Sequence, residues 1–196
     1  TIRVPQDQST IQAGIDAAVD GDTVLVADGV YLGNINFKGK AVTVVSVNGA
    51  GSTIIDCGGY GRGVNFTSGE GLSSVLQGFT IKNGNSDGGG ILCVGTSPSI
   101  QNNIITENIG GHWGGGICCD IDSAPLIINN VIARNSTRDG GGIACHVTSS
   151  PKVVNNTIVG NTASNTGDGI VCVTYSQPVI WNSIFWENQD SEIYVD

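Results

Sequence analysis

A glycine triplet followed by isoleucine recurs along this chain at a nearly constant interval, and this repeat constrains the fold more than any other feature. Gly-Gly-Gly-Ile begins at Gly88, Gly114 and Gly140, and a weakened copy, Gly-Asp-Gly-Ile, begins at Gly167. The isoleucines that follow are 26, 26 and 27 residues apart. A repeat of this length indicates one structural unit that stacks on its neighbours, as in solenoid proteins.

Two further signatures keep the same register. Pro-x-[Ile/Val]-x-Asn-[Asn/Ser] begins at Pro98, Pro125, Pro151 and Pro178. Each unit then closes with an apolar residue, two variable residues and asparagine. The unit lacks the leucine density of leucine-rich repeats and the helical halves of ankyrin-type repeats. Short β-like stretches separated by Gly, Asn and Pro turns predict an all-β parallel β-helix with three strands in each coil of 26–27 residues.

In such a coil each residue lies about 4.8 Å from its counterpart one repeat away, so equal positions form ladders. Three interior ladders are predicted: Ile91, Ile117, Ile143 and Ile170; Ile100, Ile127, Val153 and Ile180; and Ile105, Ile132, Ile158 and Phe185. A polar ladder at one bend comprises Asn103, Asn130, Asn156 and Ser183. Asparagine suits that bend because it tolerates a left-handed backbone and can hydrogen-bond to its stacked neighbour.

One cysteine per coil follows the first isoleucine ladder by two residues and should share its inward face. These cysteines are Cys93, Cys119, Cys145 and Cys172. A straight row of thiols cannot surround a tetrahedral zinc ion. We interpret them first as free, buried, small hydrophobic residues. Disulfide pairing between stacked neighbours stays open, because the spacing falls within the usual Cα range.

The chain is expected to form one domain, 1–196, with a strand and helical cap in 1–22, irregular coils in 23–85 and regular repeats in 86–196. A capping box at Ser9-Thr10-Ile11-Gln12 predicts a helix over about 10–18 that covers the first coil. Within the irregular coils, strands are predicted near Thr23–Val26, Ala41–Val45, Thr53–Ile55 and Val75–Ile81. The C-terminal end has no comparable cap, which fits a segment of a longer protein.

Charge narrows the range of partners. The chain has 17 acidic and 8 basic residues, a net charge of -9. Such a surface repels nucleic-acid phosphates, so no nucleic-acid partner is expected, and it attracts cations such as calcium. No apolar run approaches the roughly 20 residues of a membrane-spanning helix, so this segment is not expected to be transmembrane.

The N-terminal sequence resembles a known entry motif. Thr10–Ala18, followed by Gly21–Val26 and Gly29–Tyr31, is similar to the start of the pectin-lyase-like superfamily of right-handed parallel β-helices. The repeats resemble those of bacterial polymorphic outer-membrane proteins and related secreted β-helix proteins. The resemblance implies a right-handed helix and an extracellular or cell-surface, polysaccharide-facing setting. The superfamily includes lyases, hydrolases, esterases, epimerases and adhesins, and none of their local catalytic signatures is matched here.

Adjacency across repeats supplies a catalytic candidate. Asp120 and His146 each follow a ladder cysteine, so they should be stacked neighbours. A carboxylate–imidazole pair on the outer surface can carry out acid–base chemistry. The alternative is a surface ion pair worth less than about 1 kcal/mol.

Candidate ligand-binding residues come from the same reasoning about adjacent coils. They are His112 beside Arg138, Trp113 beside Asp139, and Glu107 beside Arg134 on another wall. Trp113 is either a sugar-stacking surface or a cover for the glycine-rich turns. The Glu107–Arg134 pair is either part of a site or an ordinary surface ion pair.

No cofactor is required by any of these patterns, and calcium is the one optional ligand considered. Asp87, Asp139 and Asp168 are its candidate ligands, although isolated aspartates in glycine turns are commonly turn formers. Three functions are expected from the sequence. The first is a non-catalytic, secreted or cell-surface domain that binds glycans or surfaces. The second is a polysaccharide lyase, epimerase or hydrolase, and the third is a structural spacer or adhesin repeat. The chain is expected to be a monomer or part of a larger chain.

Overall fold

Three parallel β-sheets wrap around one apolar interior in the computed structural model, which describes residues 1–196. Strands are numbered β1–β24 in chain order. Sheet A contains β1 (Ile2–Val4), β2 (Thr23–Val26), β5 (Thr43–Ser46), β8 (Val75–Gln77), β11 (Ser99–Gln101), β14 (Leu126–Ile128), β18 (Lys152–Val154) and β22 (Val179–Trp181). Sheet B contains β3 (Gly29–Leu32), β6 (Thr53–Asp56), β9 (Thr80–Lys82), β12 (Ile104–Thr106), β15 (Val131–Ala133), β19 (Thr157–Val159) and β23 (Ile184–Trp186).

Sheet C completes each coil. It contains β4 (Ile35–Asn36), β7 (Val64–Phe66), β10 (Ile91–Val94), β13 (Ile117–Asp120), β17 (Ile143–Cys145), β21 (Ile170–Cys172) and β24 (Ile193–Val195). The chain visits sheets A, B and C in turn, and neighbours within each sheet come from successive coils. The predicted parallel β-helix with three strands per coil is therefore confirmed. A small sheet of β16 (Ser136–Asp139) and β20 (Thr162–Thr166), which the repeat pattern did not predict, lies in the loops between sheets B and C.

The predicted N-terminal helix is present as α1, Ile11–Ala17. The hydroxyl of Thr10 caps it by accepting a hydrogen bond of 3.1 Å from the backbone of Ala13. Ile11 and Ile15 are fully buried against the first coil, as a cap requires. No helix in the structure is long and apolar enough to span a membrane.

The interior consists of the predicted ladders. A single cluster of 30 buried apolar residues runs through the solenoid, and it includes all four ladder cysteines. Ile180 and Phe185, in the coil nearest the C-terminus, are only partly buried. All six cysteines are free thiols in the structure, which agrees with the first interpretation from the sequence.

Asparagine ladders hold two bends, not one. The predicted ladder is present: the Asn103 amide lies 3.2 Å from the Asn130 carbonyl oxygen, and Asn130 bonds in the same way to Asn156. A second ladder, which we did not predict, consists of the asparagines that close each repeat: Asn108, Asn135, Asn161 and Asn188. The fixed spacing of those asparagines was the available signal.

Glycine triplets allow adjacent coils to approach closely where sheet C begins. Gly114 has a φ of +64°, a left-handed conformation that favours glycine. A Cβ on Gly115 would lie 2.5 Å from the carbonyl oxygen of Gly141 in the next coil. The triplet therefore serves both as a bend and as a region of close backbone contact.

One strand prediction in the irregular coils was wrong. The segment predicted as a single strand, Val75–Ile81, is split into β8 and β9. Gly78, with a φ of +81°, turns the chain between them. Phe79 fills the interior at this corner. The apolar residues here line two walls, which a short run of β-forming residues alone does not distinguish from one.

Candidate functional site

The outer face of sheet C carries a second, small apolar cluster. Its buried members, one from each of four coils, are Leu92, Cys118, Ala144 and Val171. Trp113, from the loop before β13, packs against this cluster. Its half-buried position means that Trp113 covers the sheet as well as facing solvent.

Trp113 is the centre of a stack of three rings. The His112 ring lies against it with centroids 5.1 Å apart and planes tilted by 26°. The His146 ring lies against it with centroids 4.6 Å apart and planes tilted by 19°. The sequence suggested that these residues belonged to separate pairs, but the structure joins them. His112 is the most exposed ring of the stack, since Trp113 and His146 are both half-buried.

The predicted Asp120–His146 pair is formed. His146 Nδ1 lies 3.0 Å from the Asp120 carboxylate, and both side chains are about a quarter exposed (26% and 30%). Asp120 ends β13, and His146 directly follows β17, its neighbour in sheet C. The hydrogen bond orients the imidazole, and a proton on Nδ1 is the one that can be donated to the carboxylate. This geometry permits acid–base chemistry at His146.

A thiol lies on the same face but is not a nucleophile. Cys118 is two residues before Asp120, so both side chains point outward from β13. Burial beneath Trp113 raises the pKa of the Cys118 thiol well above its usual value of 9.0. The thiolate is the reactive form of cysteine, so this set does not form a Cys-His-Asp nucleophile system.

Asp139 anchors the other side of the stack. One of its carboxylate oxygens accepts hydrogen bonds from the side chains of Asn165 (2.6 Å) and Thr166 (2.8 Å). The other lies 3.5 Å from His112 Nε2 and 3.6 Å from Arg138 Nε. The predicted neighbours His112, Arg138 and Asp139 thus meet around one buried carboxylate. Asn165 and Thr166 were not predicted because they belong to β20, a strand outside the three repeated strands of each coil.

Asp87 positions the loop that carries the stack. Its carboxylate accepts hydrogen bonds from the backbone amides of His112 and Trp113, the latter at 3.0 Å. Its carbonyl accepts a hydrogen bond of 2.5 Å from Arg62 Nε. Arg62 was not among the predicted site residues, although counting back 27 residues from Gly89 places it one coil earlier in the same region.

The three aspartates considered for calcium have different hydrogen-bond partners and different roles. Asp87 shapes the loop, Asp139 binds the stack, and Asp168 accepts backbone hydrogen bonds from Ala163, Asp190 and Ser191. Asp168 lies beside Gly141 and not in the column of Asp139, whose neighbour is Thr166. No group of three or more His, Cys, Asp or Glu side chains is arranged to hold a metal ion.

Glu107 and Arg134 are neighbours, but they stand apart from the ring stack. They follow β12 and β15 of sheet B, and their charged atoms are 3.7 Å apart. The side chains are 53% and 75% exposed, so solvent screens their attraction. The structure therefore places them as a surface ion pair beside the loops.

Comparison with known proteins gave one family match. The sequence model described as "Right handed beta helix region" matches residues 29–196, which include β3 to β24 and every residue of the ring stack. Searches of curated proteins and of solved structures found no match.

Proposed function

The chain belongs to the right-handed β-helix family, and from that premise we propose that it is a secreted or cell-surface domain that binds glycans without catalysis through the outer face of sheet C. The observation that carries the proposal is the stack of His112, Trp113 and His146. Such rings present apolar surface beside polar nitrogen atoms, which matches the mixed character of a sugar.

Charged groups surround the stack at short range. Arg138 is more than half exposed and provides hydrogen-bond donors beside His112. Asp120, on the far side of Trp113, provides carboxylate oxygens. A partly apolar surface with a few fixed polar groups is the usual composition of a small-molecule or sugar site. In this arrangement Trp113 holds both imidazoles in place, and His112 meets the ligand first.

A glycan panel tests the proposal. We expect the chain to bind at least one oligosaccharide, and His112→Ala to weaken that binding at least tenfold, about 1.4 kcal/mol. His112 is exposed, so the variant should fold normally. Trp181→Ala is the matched control, because Trp181 is an exposed aromatic residue on sheet A, away from the stack.

Each result has a defined meaning. Retained binding in Trp181→Ala with loss in His112→Ala supports the site. Equal losses in both variants, or unchanged binding in His112→Ala, would show that the stack is not the binding surface. If the chain neither binds nor cleaves any glycan of the panel, both the binding and the enzymatic proposals are rejected, and the structural-spacer function is the one that stands.

The 3.0 Å contact between Asp120 and His146 favours a second candidate, an enzyme that modifies polysaccharides by acid–base chemistry. A lyase would release unsaturated sugars, and a hydrolase would release new reducing ends. Turnover that is lost in His146→Ala, with binding retained, would replace the non-catalytic proposal. The scarcity of basic residues speaks against anionic substrates, whose charge the protein repels.

A further inference from the structure

A polar groove lies in the loops between sheets B and C. Its volume of about 450 Å³ is within the usual range for small-molecule sites. The loops that form it come from successive coils, because Ser136 pairs with Ile109 on one side and with Thr162 on the other. The groove therefore follows the solenoid axis. We call it the loop groove, and its walls include Gly110, Ser136, Thr137, Arg138, Thr162 and Ser164.

Small residues keep the loop groove open. Gly110 and Gly111 have no side chain, and Ala163, the register partner of Thr137, has only a methyl group. A Cβ on Gly110 would overlap Thr137 Oγ1, so a larger residue there would displace the threonine. The space of the groove is therefore set by the residue types at these positions.

The hydroxyl of Thr137 has no partner within the protein. Its Oγ1 is buried against Gly110, and it is the one buried side-chain polar atom of the structure without a hydrogen bond. Buried polar groups in proteins are nearly always paired, so an unpaired one needs an explanation. Because no hydrogen bond holds its rotamer, the side chain can turn about χ1 toward the groove that it lines. A ligand in the groove would then supply the missing partner.

The loop groove offers hydrogen-bonding groups without net charge. Arg138 is the only charged residue that lines it, and its Nε already lies 3.6 Å from the Asp139 carboxylate. The hydroxyls of Ser136, Thr162 and Ser164 can each donate and accept a hydrogen bond. These groups match the hydroxyls of a neutral sugar, whereas an ionised ligand would need an opposite charge that the groove does not supply.

The loop groove borders the ring stack. Gly110 and Gly111 directly precede His112, and the Asp139 carboxylate oxygen that contacts Arg138 also lies 3.5 Å from His112 Nε2. We propose that an unbranched, neutral oligosaccharide binds with one end on the ring stack and continues along the solenoid axis in the loop groove. This rests on the glycan binding proposed above, and it adds the substrate class: uncharged chains longer than a disaccharide.

Chain length provides the first test. Calorimetric titration compares neutral hexasaccharides with disaccharides of the same sugar: cellohexaose with cellobiose, maltohexaose with maltose, and mannohexaose with mannobiose. We expect at least one hexasaccharide to bind about tenfold or more tightly than its disaccharide, because only the longer chain reaches the loop groove. Hexagalacturonate, which is anionic, should bind more weakly than that hexasaccharide.

Two variants of equal shape locate the effect. Thr162→Val and Thr137→Val each remove one hydroxyl and should weaken hexasaccharide binding by about three- to tenfold, the contribution of one neutral hydrogen bond. Disaccharide binding should not change in either variant, whereas His112→Ala should weaken the binding of both sugars. Thr157→Val is the matched control, because Thr157 is also half-buried but lies on sheet B outside the groove.

The outcomes separate this proposal from the proposed function. If no hexasaccharide and no disaccharide binds, glycan binding itself is rejected, and the groove proposal with it. Equal affinities for hexasaccharide and disaccharide, or unchanged hexasaccharide binding in both groove variants, would overturn the groove and leave the ring stack as the binding surface. Tighter binding of hexagalacturonate than of every neutral hexasaccharide would overturn the neutral substrate class.

Discussion

Asn135 offers the sharpest test of the second asparagine ladder. Its side chain is fully buried and makes four hydrogen bonds. The amide donates to the carbonyl of Ile105 (2.9 Å) and to Asn161 (3.0 Å), and its oxygen accepts from the backbone (3.1 Å) and amide (3.0 Å) of Asn108. Asn135→Ala removes all four bonds and keeps the backbone N–H that donates to Asn161.

The cost follows from the groups left behind. The Asn108 backbone N–H loses its partner in a buried site, which costs about 1–3 kcal/mol. The side-chain amide of Asn108 keeps its bonds to Ile81 and Thr106, so its loss is smaller. With about 1 kcal/mol for the bond to Ile105, the free energy of unfolding should fall by about 3 kcal/mol. For a chain of this size that lowers the melting temperature by roughly 6–12 °C.

Urea unfolding followed by far-ultraviolet circular dichroism measures this change. Asn48→Ala is the control, because Asn48 is exposed and donates only to Asp28. Its effect should stay below about 0.5 kcal/mol. The two variants should be compared at equal slopes of the free energy of unfolding against urea concentration. If Asn135→Ala lowers the free energy of unfolding no more than Asn48→Ala does, the asparagine ladder does not stabilise the bend.

Three further predictions follow from the charges. Glu107→Gln should change the free energy of unfolding in urea by less than about 0.5 kcal/mol, because its ion pair with Arg134 is exposed; a larger loss would mean that the pair supports the loops. Hydrogen bonds from Asn83 and from the backbone of Gly58 lower the pKa of the Asp56 carboxyl below its usual 3.8. The stabilisation is therefore present above the unfolded pKa and is lost as the pH falls through the folded value, so Asp56→Asn should flatten the pH dependence of unfolding in that acidic window. An equally steep profile in the variant would assign the acid sensitivity to other groups. Added calcium should leave the melting temperature unchanged, because the aspartate oxygens of the loops already face hydrogen-bond donors; a rise that a chelator reverses would contradict this.

The repeat predicted the fold because residues at equivalent positions of successive coils stack on one another and therefore share one environment. The inward position of Ile117 was predicted less from the residue itself than from the isoleucines one repeat before and after it, Ile91 and Ile143. The same logic predicted the inward cysteines and the Asp120–His146 contact. It failed at Val75–Ile81, where no second copy showed that the chain turns at Gly78. Where copies are absent, the local apolar pattern cannot separate one strand from two.

The ring stack could be predicted only in part, since its rings do not share one register position. Trp113 and Asp139 are true counterparts, and their bridge was predictable from the spacing. His146, however, lies 33 residues after Trp113, more than one repeat away, so no column contains both. Their contact depends on the direction of the Trp113 side chain, in a loop whose backbone is held by a hydrogen bond to the Asp87 carboxylate.

The glycine triplets contribute both to the solenoid and to the ring stack, because they bring adjacent coils close together. Because Gly115 lies against the backbone of Gly141, the loop carrying Trp113 is drawn close to the next coil, where His146 follows β17. A Cβ at Gly115 would lie 2.5 Å from the Gly141 carbonyl oxygen, so we expect a side chain there to push the loop outward and to separate the Trp113 and His146 rings, whose centroids are 4.6 Å apart. The close approach of the coils is therefore a condition for the stack. The residues that specify the solenoid also set the geometry of the surface that we propose binds glycans.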